Sequence, residues 1–341
     1  MTDTAVTEAR ASRPANLFDL LRLAAAAMVI IGHSWSLLGL RGVPTLAGIT
    51  IHHLGVYVFF AISGFLLSTS WTRSPRPGTF LLRRCLRIFP ALALVVLLTV
   101  AVLGPALTTL PIAEYASSPE TWRYLWNLVL LAQYDLPGLF SGNDQSAVNG
   151  SLWSLGPEFC CYLMIVALGV LGTRVSLVAR GVLAGVLLTV AVAAPLDRPL
   201  RITVVAVVFF LIGSLLTSVP RLSHVPWWAL VLGLAALVPL RGEAGVIAAC
   251  IVVPVVVVSL GSRTSAVARR VQRWGDPSYG MYLWAFPIQQ TLIAAGPPLP
   301  LVLNILVVLV LSTGAGYLSW HVLEKRAIAL GARLSERAVT G

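Results

Sequence analysis

Apolar residues run along this chain in long blocks from end to end, separated by short connections, with no extensive polar region between them. A helix needs about 20 mostly apolar residues to cross roughly 30 Å of hydrocarbon. Ten blocks approach that length: 17–39, 54–71, 88–110, 151–172, 181–196, 202–219, 226–240, 244–260, 278–295 and 300–322. The pattern predicts an all-α polytopic membrane protein, a bundle of about ten transmembrane helices in one domain, 17–326, with short tails at 1–16 and 327–341. No cleavable signal is expected, because Arg10 and Arg13 precede a run too long for an h-region. The one long connection, 111–150, contains an amphipathic stretch from Thr121 to Tyr134, with Trp122 and Trp126, suited to the membrane interface. Its remainder, Asp135 to Gly150, is rich in Gly, Asn, Asp and Ser and reads as a loop.

Composition agrees with this reading. The chain is 57% hydrophobic and 11% charged, whereas a soluble domain has about 25% charged residues. The net charge of +11 does not point to nucleic acid, because the arginines recur between apolar runs instead of forming one patch. Of the 24 Lys and Arg, 18 fall on one side of the predicted bundle and five on the other, with Arg22 inside the first span. The positive-inside rule then places both termini in the cytoplasm of a plasma-membrane protein, with membrane lipids as its surroundings. Cys85, Cys160, Cys161 and Cys250 lie in or at the edge of apolar segments, without metal-ligand spacing, and imply no disulfide framework.

Ionisable residues inside a membrane cost about 3 kcal/mol or more at mid-depth, so each needs a reason. Three groups stand out. Span one carries Asp19, Arg22 and His33. Arg22 and His33 share a helix face and differ by about 16 Å along the axis. Asp19 and Arg22 also suit a simple ion pair one turn apart, and a lone His33 also suits an interhelical hydrogen bond. Span four carries Glu158, which by residue counting falls about as deep as His33; Ser154 or a tyrosine is a structural alternative partner. At the start of span three, Arg83, Arg84 and Arg87 fall within about one turn. They suit phosphate recognition, or topology and lipid headgroups alone.

Taken together, the ordered segments FDLLRLAAAAMVIIGH, GVYVFFAISGFLLS, RRCLRIFP, SLWSLGPEF, SYGMYLWAFP and LSWHVLEKR resemble acyltransferase family 3, bacterial integral membrane O-acyltransferases. The resemblance extends from about Leu17 to Arg326. It implies a ten-helix fold and acyl transfer from acyl-CoA, commonly acetyl-CoA, as co-substrate, with no bound cofactor or metal. The implied acceptor is a hydroxyl of a cell-envelope sugar or glycolipid, or of a secreted small molecule. It further implies His33 as base or acylated nucleophile, Glu158 as its orienting carboxylate if spans one and four touch, and Arg22, Arg84 and Arg87 as the acyl-CoA site. Asp19, Ser63, Ser154, Tyr279 and Tyr282 are expected to line the pocket, with Ser63 and the two tyrosines as oxyanion donors. One position departs from the pattern: Ala285 stands where the family often has histidine. The rival reading is a transporter that uses buried His, Arg and Glu as a relay, although no motif repeats between 1–170 and 171–341.

Overall fold

A computed structural model describes residues 16–297 and 299–340; Arg10, Arg13 and nearly all of the predicted N-terminal tail lie outside them. The predicted apolar blocks are all helical. In chain order the helices are α1 (Phe18–Leu37), α2 (Ile51–Arg73), α3 (Pro77–Leu107), α4 (Gly150–Gly169), α5 (Thr173–Ala193), α6 (Arg198–Ser218), α7 (Trp227–Leu237), α8 (Gly242–Gly261), α9 (Ala266–Trp274), α10 (Ser278–Ala295), α11 (Leu301–Ser319) and α12 (Lys325–Thr340). Among the described residues, eight helices are long and apolar enough to cross a membrane. Two expected spans fall short: α7 has only 11 residues, and α10 is too polar, with Gln289 and Gln290 in its interior. Strand structure among the described residues is a two-stranded hairpin, Thr45–Leu46 with Ile49–Thr50, ahead of α2.

The bundle is organised around α2. It packs against α1, α4, α6 and α8, and 67% of its apolar window is buried, more than in the other spans. Small residues make this possible. In lipid there is no hydrophobic drive between helices, so packing depends on close backbone approach. A Cβ on Gly55 would lie 2.6 Å from the Ala25 carbonyl of α1; Gly64 abuts the Phe210 carbonyl of α6, and Gly213 returns the contact to Ala61.

Two spans contain a π-helical turn, Thr99–Leu103 in α3 and Trp320–Glu324 joining α11 to α12. The residues assigned to a C-terminal tail continue this helix: α12 packs on α3, where Arg83 Nε donates to Ser335 Oγ at 2.9 Å. The connection before α10 also gains a helix, α9, which carries Arg269, Arg270 and Arg273.

The loop Asp135–Gly150 does not stay at the bundle's edge. Gln290 Nε2 of α10 donates to the carbonyls of Gln145 and Ala147 (2.6 and 2.7 Å), Asn143 Nδ2 donates to Gln290 Oε1 (2.9 Å), and buried Asn149 Nδ2 donates to the Leu283 carbonyl (2.9 Å). The loop therefore enters the bundle, and α4 begins inside it, with a 3-10 turn at Gly150–Ser154.

Candidate active site

The predicted site residues occupy two places. The first is a cavity of about 340 Å³ near the arginine-rich end, whose lining includes Asp19, Arg22, Ser63, Arg84, Arg87, Ser154, Glu158, Tyr279 and Tyr282. Sequence spacing brings them there because Arg22 lies one turn into α1, and Arg84 and Arg87 lie one turn apart on α3. Nine of the ten predicted residues thus share one cavity. His33 is not among them.

Charge in this cavity is organised by Asp276, in the connection before α10. Its Oδ2 accepts from Arg87 Nη2 at 2.8 Å and lies 3.7 Å from Arg22 Nη1, which also pairs with Asp19 Oδ1 at 3.3 Å. Its Oδ1 accepts from the Ser278 hydroxyl. Burial alone would raise this carboxyl, but Arg87, Arg22 and Ser278 outweigh it and hold its pKa at about 2. Arg84 is different. It is half-buried, its guanidinium lies 5.7 Å over the Phe80 ring, and its buried Nε has no hydrogen-bond partner among the described residues. Arg73 also lines the cavity, whereas Arg83 is engaged by α12.

Glu158 does not pair with His33. Its Oε1 accepts from Tyr162 OH at 2.6 Å and from Ser63 Oγ at 3.1 Å. Ser63 lies ten and eleven residues along α2 from His53 and His52, about 15 Å at helical rise. The two groups are therefore at different depths, contrary to the count from sequence. That count placed the start of span four at the membrane edge, whereas the loop carries Gly150 inward to pack on Phe286, beside His33, and Glu158 lies two helical turns beyond.

The hydroxyls expected to stabilise an oxyanion are already donating elsewhere. Ser63 donates to Glu158, Tyr279 to the Ile88 carbonyl at 3.1 Å, and Tyr282 to the Ser151 carbonyl at 2.6 Å while also bonding Ser154. They line the cavity and fix its walls.

His33 lies at the far end of α1 in a cluster that sequence reasoning missed. Its ring stacks on His52 (centroids 4.9 Å apart) and meets Phe286 edge-on at 5.2 Å; His52 lies 4.2 Å from His53. The Thr50 hydroxyl reaches both His53 Nδ1 (2.7 Å) and His52 Nε2 (3.2 Å). His52 is buried against α1 at Gly32, where a Cβ would come 2.7–2.8 Å from its backbone nitrogen, Cβ and Nδ1. His33 and His53 are half-buried. The available signal was the adjacent pair His52-His53 just before a span whose start was placed at 54; the helix begins at Ile51 and takes both inside. Ala285, one turn from Tyr282, sits in a small apolar cluster with Ala26 and Ile30 of α1, and its neighbour Phe286 is the ring that meets His33.

Comparison with known proteins converges on one family. The family model for an acyltransferase domain matches residues 16–321. The chain is similar to the O-acetyl transferase of Shigella phage Sf6, 30% identical over 356 residues, 91% of this chain and 95% of the phage protein. It is also similar to nodulation protein 10 of Rhizobium leguminosarum bv. viciae, 36% identical over 163 residues, covering 44% of this chain and 43% of that one. No solved structure matches. A basic cavity and a histidine cluster within an α-helical membrane bundle accord with these matches: the chain belongs to the acyltransferase 3 family and is a membrane O-acyltransferase.

Proposed function

We propose that the protein transfers an acyl group, acetyl in the first instance, from acyl-CoA to a hydroxyl of a cell-envelope glycan, a glycolipid or a secreted metabolite. The acetyl donor is favoured by the phage relative's name. In this reading the arginine-rich end faces the cytoplasm of the plasma membrane, with both termini there. Arg22, Arg84 and Arg87 bind the donor's phosphates, because guanidinium forks match phosphate oxygens. Arg84 has the greatest freedom to do so, since its Nε is unpartnered.

His33 is the base. An imidazole takes the acceptor's hydroxyl proton as its oxygen attacks the thioester carbonyl. The C–S bond then breaks, and the proton passes to the departing thiolate, leaving an ester and free CoA. One observation carries this reading. The basic cavity and the histidine cluster are built on the same two helices, α1 and α2, and Arg22 and His33 differ by about 16 Å along the axis. An extended pantetheine arm covers such a distance. Phosphates anchored at one end therefore deliver the thioester to the other.

The test uses purified protein in nanodiscs with acetyl-CoA and extract of cells that lack the gene. CoA thiol release that depends on both protein and extract is expected. Solute uptake into proteoliposomes without CoA release would replace the acyltransferase with the transporter reading.

A further inference from the structure

The end of the molecule that holds the histidines is poor in cations: five of the 24 Lys and Arg fall on that side of the bundle. Two of the five, Arg198 and Arg201, occupy the first turn of α6. They stand beside the histidines, as the path of α6 shows. Helices α2 and α6 run parallel, with Gly64 against the Phe210 carbonyl and Tyr57 stacked on Phe209 at 4.8 Å. Counting back along both helices puts Arg201 about level with His52 and His53, and Arg198 about one turn beyond.

Neither guanidinium forms an ion pair among the described residues; the adjacent carboxylate, Asp197, instead caps α6 by accepting from Leu200 N at 2.9 Å. At the other end of the molecule, by contrast, Arg22 and Arg87 share a buried carboxylate. Two unpaired guanidiniums one turn apart repel each other, and the positive-inside bias disfavours cations at this end, so topology alone gives no reason to place two of them here. An anion bound between them would remove that penalty. Two aromatic rings lie beside the cluster: half-buried Trp153 meets His53 edge-on at 6.5 Å, and buried Tyr57 stacks at 6.4 Å on the same imidazole. The partly exposed indole of Trp153 suits the apolar face of a sugar.

We infer that the hydroxyl acceptor is anionic, and that Arg198 and Arg201 hold its negative group while Trp153 supports its ring and His33 receives its hydroxyl proton. This rests on the acyltransferase reading. The negative group is either a carboxylate on the acceptor itself or the phosphate of a carrier to which it is attached; both present paired oxygens to guanidinium.

The experiment incubates the full-length protein in nanodiscs with radiolabelled acetyl-CoA and extract of gene-deleted cells. The base-labile labelled product, first separated from unreacted acetyl-CoA by reverse-phase chromatography, is then applied to an anion exchanger at neutral pH. Retention of the label is expected. Mild acid then separates the two sources: label that becomes unretained was held through a carrier phosphate, and label that stays retained is on an intrinsically acidic acceptor. A labelled product that passes straight through overturns the inference while leaving acyl transfer intact. Absence of any protein-dependent, base-labile label overturns both. Independently, Arg198→Gln with Arg201→Gln should raise the KM for the retained acceptor about tenfold or more, with the KM for acetyl-CoA unchanged. An unchanged acceptor KM in a variant that still binds acetyl-CoA also overturns it.

Discussion

The two ends of the bundle handle ionisable groups in opposite ways. At the arginine-rich end, cations and carboxylates are paired at 2.8–3.7 Å around Asp276, and a further guanidinium is left with an unmet donor. At the other end, His33 stacks on His52, His52 lies tilted against His53 and Phe286 meets His33 edge-on, with no carboxylate among the described residues bonded to the three imidazoles. The first arrangement suits holding a polyanion by charge. The second suits moving a proton, because an imidazole without a bonded carboxylate keeps both of its tautomers open. A carboxylate bound to His33 would have fixed that choice, and Glu158, spent on Ser63 and Tyr162, does not do so.

Substitutions should divide along this line. The largest effect is expected from His33→Ala, which removes the proposed base. With the protein retained in the membrane, acylation should fall by about 100-fold or more, and normal acylation would end the division. Next is Arg84→Ala. Because Arg84 Nε has no protein partner, the variant should keep its melting temperature and raise the KM for acetyl-CoA by about tenfold, with kcat little changed. An unchanged KM would take the donor away from this cavity.

Asp276→Asn tests the ionic arrangement itself. It leaves Arg22 and Arg87 without their shared carboxylate, so melting should drop by several degrees and the KM for acetyl-CoA should rise. Its pH signature has a definite sign. A carboxyl held at about 2, below its ordinary 3.8, contributes stability that is present above about pH 4 and lost as pH falls toward 2. The wild type should therefore lose melting temperature in that interval more steeply than Asp276→Asn, by thermal scans. The smallest effect is expected from Glu158→Gln, which keeps the shape and weakens two hydrogen bonds: less than about tenfold on acylation. A loss equal to that of His33→Ala would mean that the two act as one unit after all.

Much of this was legible from the chain. Spans were readable because burial in lipid leaves long apolar runs, and α1, α2, α6 and α8 lie within a few residues of their expected positions. The arginine cavity was readable because intramembrane charge is rare enough to stand out. What escaped notice depended on depth, which a residue count measures only from a known surface. Glu158 was misplaced because its helix starts inside the bundle, after a loop whose polar composition suggested an outer position. His52 and His53 escaped because one turn of helix separated them from the assumed start of the span. Asp276 escaped because a carboxylate between Gly275 and Pro277 in a connection looks solvated; only the approach of α1 and α3 shows it to be buried.

The inward loop has a consequence of its own. It is fastened by Asn143, Asn149 and Gln290, amide side chains that carry no net charge and do not titrate. Mobile ions screen attraction between exposed charges but have little hold on buried neutral dipoles. Rising ionic strength should therefore loosen donor capture at the arginines while the wall that frames the histidines keeps its place.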